Sequence, residues 1–241
     1  MSKILELYTF DPKAFCGDGT YSQEICDVVL CAALLYNDIK NTIVIINLLH
    51  ASRPTGEMSY TREWGEYTGR DMHIFRHHVG ILHELFQFME SNIETINTRL
   101  FQEIISQMSL KARDAWGSLV EASISIKPVG SFGNLLVRMR NQVSFHYDSR
   151  QIGIGFRKHF FKKNKVSEQA FVSKGISMEE TRFYFADAAV QDYINLLLGN
   201  DNEAFQNEIK NFMNEISFSF YQLIDRFIIK RGFAYQIYRH N

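Results

Sequence analysis

An all-α fold is what this chain predicts, on three observations. Apolar residues recur at three- and four-residue steps over long stretches, as in Val28, Cys31, Ala32, Leu35 and Ile39. Prolines fall only at positions 12, 54 and 128 of 241, so long segments carry no strong breaker. The chain is 46% hydrophobic and 14% aromatic, enough to bury a sizeable core and contrary to a disordered composition. The expected architecture is a helical bundle with additional helices and a basic loop insertion, in one domain covering residues 1–241.

The elements follow from periodicity and punctuation. Residues 1–20 read as an irregular arm. A first helix is expected from about Tyr21 to His50; its β-rich stretch Ile43–Ile46 lacks flanking turn signals and so belongs to the helix. Pro54, Gly56, Gly65 and Gly69 mark residues 52–70 as a long loop. Helices are then expected at about Arg70–Glu90, Ile93–Ser109 and Leu110–Ile126, the last ended by Pro128 and Gly130. Ser131 can cap a helix over Phe132–Tyr147. The stretch Gly153-Ile154-Gly155 and the basic residues after it break the pattern, so residues 148–177 read as an inserted loop segment, with 166–180 a loop or short hairpin. Helical spacing returns at about Met178–Leu198 and Asn202–Lys230, divided by Gly199-Asn200-Asp201 and closed by Gly232.

Charge and cysteine content set limits on function. The net charge of -1 carries no overall attraction to nucleic acid. Six of the 26 basic residues, however, crowd into 150–165 with no acid among them, which leaves an acidic excess elsewhere. Cys16, Cys26 and Cys31 fit no paired metal spacing and read as reduced thiols. The first residues show no signal-peptide core, and the longest apolar run, residues 42–49, is far too short to span a bilayer. A cytoplasmic protein with no membrane partner is expected. No Walker loop or nucleophile elbow is present, and Gly153-x-Gly155 lacks the third glycine and the strand–helix context of a dinucleotide fold. No cofactor is implied.

Polar residues intrude where a core helix is expected, in Leu135-Leu136-Val137-Arg138-Met139-Arg140-Asn141-Gln142-Val143-Ser144-Phe145-His146-Tyr147. A guanidinium and an imidazole in such a segment are costly unless paired or functional. Metal-free RNA cleavage needs a base for the 2′ proton, an acid for the departing 5′ oxygen and a cation for the phosphorane charge. His suits the proton transfers and Arg the phosphorane. Six residues along an ideal helix turn it by about 600°, which puts Arg140 and His146 about 120° apart and about 9 Å along the axis. Ser144 and Tyr147 share the Arg140 face and are auxiliary candidates. Either the helix loosens near His146, or His146 works with Arg140 of a second chain.

This Arg-x5-His string, with a polar residue directly after the Arg, resembles the signature of the HEPN superfamily. Members are all-helical, and many are metal-independent endoribonucleases of toxin–antitoxin, abortive-infection and CRISPR systems. The resemblance implies a HEPN-like bundle that dimerises, with Arg140 and His146 catalytic and Asn141 orienting the pair or contacting phosphate. It also implies RNA as substrate and an antitoxin or defence-system protein as partner. In some HEPN toxins a tyrosine two residues after the His is modified by a partner enzyme. Here Tyr147 follows His146 directly and Asp148 takes that place, a departure from that mode of control.

Three readings stand beside the motif. Arg150, Arg157, Lys158, Lys162, Lys163 and Lys165 can neutralise RNA phosphates, while the interleaved Phe156, Phe160 and Phe161 stack on bases or pack onto the core. His73, His77, His78 and His83 crowd one helix, with His73, His77 and Glu84 on one face; this face is expected to line a helix interface or support the Arg140 site rather than hold a metal. A purely structural reading pairs Arg140 with an acid such as Glu121 or Asp114 and leaves His146 at a helix end. The alternatives to an RNase are thus a non-catalytic module binding nucleotide, RNA or protein, and a structural helical dimer.

Overall fold

A computed structural model describes residues 7–58, 61–125, 132–144, 147–161 and 169–237. The described chain is all-α apart from a two-residue strand pair. It runs β1 (Tyr8–Thr9), α1 (Gln23–Ala51), α2 (Arg62–Ser91), α3 (Ile93–Ile96), α4 (Arg99–Ile105), α5 (Leu110–Ser125), α6 (Phe132–Met139), α7 (Ser149–Phe160), α8 (Tyr184–Leu198), α9 (Asn202–Lys230) and β2 (Gln236–Ile237). A π-helical turn, Arg140–Ser144, continues α6. The contacts divide the chain into two compact units, whose boundaries fall inside helices.

Unit 1 comprises Met1–Asn37, Phe86–Ile124 and Phe212–Asn241. Its core is aromatic: the Trp116 ring lies 5.9 Å from Phe101 and 5.5 Å from Phe220, and Phe86 meets Phe212 edge-on at 5.0 Å. The helix expected over Ile93–Ser109 is broken in two, because Thr98 leaves the helical conformation and its hydroxyl accepts from the Phe101 amide. The arm is tied down by antiparallel pairing of Tyr8 with Ile237 and Thr9 with Gln236. Arg231, its side chain 3% exposed, donates to the carbonyls of Ala14 and Cys16 and pairs with Asp18. The Asp18 carboxyl is held below its usual range by the Tyr21 and Thr20 amides, then by Arg231. The described cysteines are free thiols.

Unit 2 comprises Asp38–Leu85 and Ser125–Asn211. Here α2 starts at Arg62, eight residues before the sequence expectation. Gly65 and Gly69 are not loop residues. They lie four apart on one face, where a methyl group on Gly65 would come 2.5 Å from the Tyr184 ring and one on Gly69 would strike the Arg182 guanidinium. Close approach is their purpose, against a helix-propensity cost of about 1 kcal/mol each. The inserted loop expected at 148–177 is likewise helical over Ser149–Phe160. Asp148 caps it by accepting from the Arg150 and Gln151 amides. Gly155 lets α7 press against α8, since a Cβ there would meet the Ala189 carbonyl. Beyond the basic segment the chain is extended, with an antiparallel bridge between Ser173 and Arg182 and a 3-10 turn at Met178–Glu180 before α8. Gly199 ends α8 at positive φ, in agreement with the expected break.

One helix meets the length and apolarity of a membrane span, a criterion that the core helix of a soluble protein also meets. Among the described residues α1 is long and apolar enough, by length and composition, to cross a bilayer, with a mean hydropathy of 1.5 over its most apolar 18-residue window. The short run 42–49 understated this, because polar residues at mid-helix (Asn37, Asp38, Lys40 and Asn41) divide the apolar positions.

Candidate functional site

The motif segment is positioned by the buried stripe Leu136, Met139 and Val143. Its three- and four-residue steps bury one side of α6 and carry that burial into the π turn. A π turn bonds i to i+5 and widens the helix, a local feature frequent at functional sites. Beyond it the Asp148 amide donates to the Gln142 carbonyl, a six-residue step that continues the widening. The Val143 carbonyl, near the helix C-terminus, accepts from Arg76 Nη1 of α2 at 3.0 Å. A cation at that end satisfies an orphan carbonyl and faces the negative pole of the helix dipole.

Arg140 opens the turn. Its Nε and Nη2 donate to Glu84 Oε1 of α2, at 3.2 and 3.0 Å, and its Nη1 donates to Asn141 Oδ1 at 3.0 Å. The guanidinium is thus oriented by a carboxylate and by its own neighbour, with 26% of the side chain open to solvent. The structural reading looked for an acid such as Glu121 or Asp114; an acid in place is Glu84, from the histidine-bearing helix. The expectation that this face supports Arg140 describes Glu84 well. The four histidines themselves diverge: His73 and His77 are exposed, His78 and His83 buried. No group of three or more His, Cys, Asp or Glu is placed to hold a metal among the described residues.

His83 stands beside the pair, its Nδ1 3.6 Å from Glu84 Oε1. That separation is too long for a hydrogen bond. Burial lowers the His83 pKa and the Arg140 charge adds to this, while Glu84 opposes both. His83 is therefore held neutral at neutral pH. Gln142 Oε1 accepts from the Tyr193 hydroxyl at 2.6 Å, which fixes the turn to α8.

His146, the other half of the motif, lies outside the described residues, as do Lys162, Lys163 and Lys165. The auxiliary pair does not share one face: the Ser144 hydroxyl is buried without a hydrogen-bond partner, while Tyr147 is 71% exposed. The widened turn removes the regular spacing on which that expectation rested. Arg150 and Arg157, seven residues apart on one face of α7, are exposed, and Lys158 is half-buried. The aromatic residues split. Phe160 is buried and Phe156 packs on Phe160 and Phe185 at 4.8 and 6.3 Å, whereas Phe161 is 70% exposed. His159, between the basic residues and the phenylalanines, bonds Asp192 at 2.8 Å.

Sequence reasoning missed Arg76 and the role of Gly69. A basic residue three steps from His73 carries no signature of its own, and two glycines four apart look like turn signals until a partner side chain is seen against them. Comparison of the chain with protein-family models, with curated proteins and with solved structures finds no match.

Proposed function

We propose that this chain is a HEPN-like, metal-independent endoribonuclease, acting in the cytoplasm as a homodimer in a toxin or defence role. The observation that carries the reading is the guanidinium of Arg140, oriented by Glu84 and Asn141 and one quarter exposed, on a π turn at the start of the Arg-x5-His string. A pre-oriented Arg binds a phosphate through its planar fork and stabilises the charge of a phosphorane. In the reaction the 2′ oxygen bonds to phosphorus and the bond to the 5′ oxygen breaks. His146 of one copy takes the 2′ proton, and His146 of the second copy protonates the 5′ oxygen. Arg140 from each copy neutralises the phosphorane, and Asn141 orients the pair. Arg150, Arg157 and Lys158, with Lys162, Lys163 and Lys165, attract the RNA backbone.

The Arg140–Glu84 pair favours a second reading, in which Arg140 serves a structural ion pair or a binding surface without catalysis. An RNA cleavage assay in EDTA separates them, with wild type, His146→Ala, Arg140→Ala and Glu84→Gln compared and each fold checked by circular dichroism. Catalysis predicts cleavage by wild type and a loss of about 10²–10⁴-fold in His146→Ala with the fold intact. Absence of cleavage by wild type, with Arg140→Ala and Glu84→Gln lowering Tm alike, assigns Arg140 to structure.

A further inference from the structure

A second cluster of cations lies in unit 2, and nothing in the motif accounts for it. Arg70, His73 and Arg76 follow one another at three-residue steps on α2, and Arg182 precedes α8; together they line an open cleft of about 560 Å³ whose aliphatic lining from α1 is Ile45, Leu48 and Leu49. The volume falls within the range of small-molecule sites. Two of the guanidiniums have acids: Glu66 bonds Arg70 at 3.2 Å and lies 3.5 Å from Arg182, and Asp187 bonds Arg182 at 2.8 Å. Arg76 has none among the described residues. Its one hydrogen bond there is to the Val143 carbonyl, and its Nε is buried without a partner. A half-buried guanidinium without a counter-charge carries an electrostatic cost that an anion would remove.

The cluster is built rather than incidental. The Arg182 guanidinium packs into the space beside Gly69, where a Cβ would lie 2.0 Å from Nη2 and displace it. Two carboxylates then fix its direction. Its neighbours feel the positive field: partial burial first, then Arg76, His77 and Arg182, lower the His73 pKa, with Asp187 opposing.

We infer that this cavity binds a small phosphomonoester on an aliphatic or sugar-like skeleton. Donors from two elements suit a tetrahedral oxyanion, and guanidinium forks are the side chains that grip phosphate bidentately. The aliphatic wall argues for the skeleton: Ile45, Leu48 and Leu49 face the ligand space, and no Phe, Tyr or Trp ring lines it. The inference stands whether or not the chain cleaves RNA.

Calorimetric titration of the full-length chain with butyl phosphate, inorganic phosphate, butyrate and a single-stranded oligoribonucleotide tests it, with Tm followed in parallel. Butyl phosphate binding more tightly than inorganic phosphate and butyrate, and raising Tm, supports the site. Arg76→Gln should weaken butyl phosphate by about tenfold or more, as loss of a charge-assisted bond predicts. Arg76→Lys, which keeps the charge without the fork, should recover part of the affinity in a chain with wild-type circular dichroism. Failure of butyl phosphate to bind wild type, equal affinity in Arg76→Gln, or binding of the oligoribonucleotide alone overturns the proposal.

Discussion

Arg231 in unit 1 and Arg76 in unit 2 are both guanidiniums turned into the protein, and the two regions treat them differently. Arg231 meets two carbonyls, a thiol sulfur and the Asp18 carboxylate, beside the rings of Tyr21 and Phe227. Arg76 meets one carbonyl and no acid among the described residues. The difference is one of counter-charge, since buried nitrogens without a hydrogen bond occur in both units, at Trp116 and Arg231 Nε in unit 1 and at His78, His83 and Arg76 Nε in unit 2. Arg231 completes an ion pair within its unit, and Arg76 keeps a charge that binding or chemistry can use.

The largest expected break in this comparison is acid sensitivity from His78. Burial, aided by His77, lowers its pKa from 6.5 to about 4. Below pH 6.5 the unfolded chain takes up a proton that the folded chain refuses. Stability is therefore complete above pH 6.5 and declines as pH falls towards 4, by about 3 kcal/mol in all. Urea unfolding at pH 7, 5.5 and 4.5 should show the decline, and His78→Leu should flatten it. The lowered pKa values of His83 and His73 act in the same direction, so some slope should remain. An unchanged slope in His78→Leu would place the acid sensitivity elsewhere.

Next in size is the contrast between the two arginines. Arg231→Met leaves the Ala14 and Cys16 carbonyls and Asp18 without their donor, and should cost about 2–3 kcal/mol by chemical denaturation. Arg76→Met removes one bond but also an uncompensated charge, so its effect should stay within about 1 kcal/mol of zero. Equal losses in the two variants would mean that Arg76 is as well supported as Arg231, contrary to the contact pattern.

Periodicity made much of unit 1 legible, because its apolar positions bury a face and its breaks carry caps. The start of α5 at Leu110 and the end of α9 at Lys230 lie where spacing and capping residues put them, as does the Gly199 break in unit 2. Unit 2 was harder for a physical reason. Gly65, Gly69 and Gly155 are close-approach residues, and their meaning depends on Tyr184, Arg182 and the Ala189 carbonyl, far along the chain. Read locally they are helix breakers, which is why local sequence reads α7 and the first turns of α2 as loop. The site was half legible. The odd polarity of Arg140 was visible in one stretch of sequence. Its tie to Glu84 joins residues 56 apart, and no local pattern signals such a pairing.

That tie gives the smallest effect and the sharpest test of what Arg140 is for. Arg140 and Glu84 are both partly solvated, their side chains 26% and 45% exposed, so screening limits their mutual attraction. A double-mutant cycle of Arg140→Gln and Glu84→Gln should return a coupling of about 0.5–1 kcal/mol in thermal or urea unfolding. A structural pair should show its whole effect in that number. If Glu84 instead holds the guanidinium ready for phosphate, Glu84→Gln should leave stability nearly unchanged while altering RNA affinity or cleavage, and added salt should mimic it by weakening the pair. Coupling well above 1 kcal/mol, with RNA affinity and cleavage unmoved, would return Arg140 to the class that Arg231 represents, an arginine whose partners exist to hold the fold.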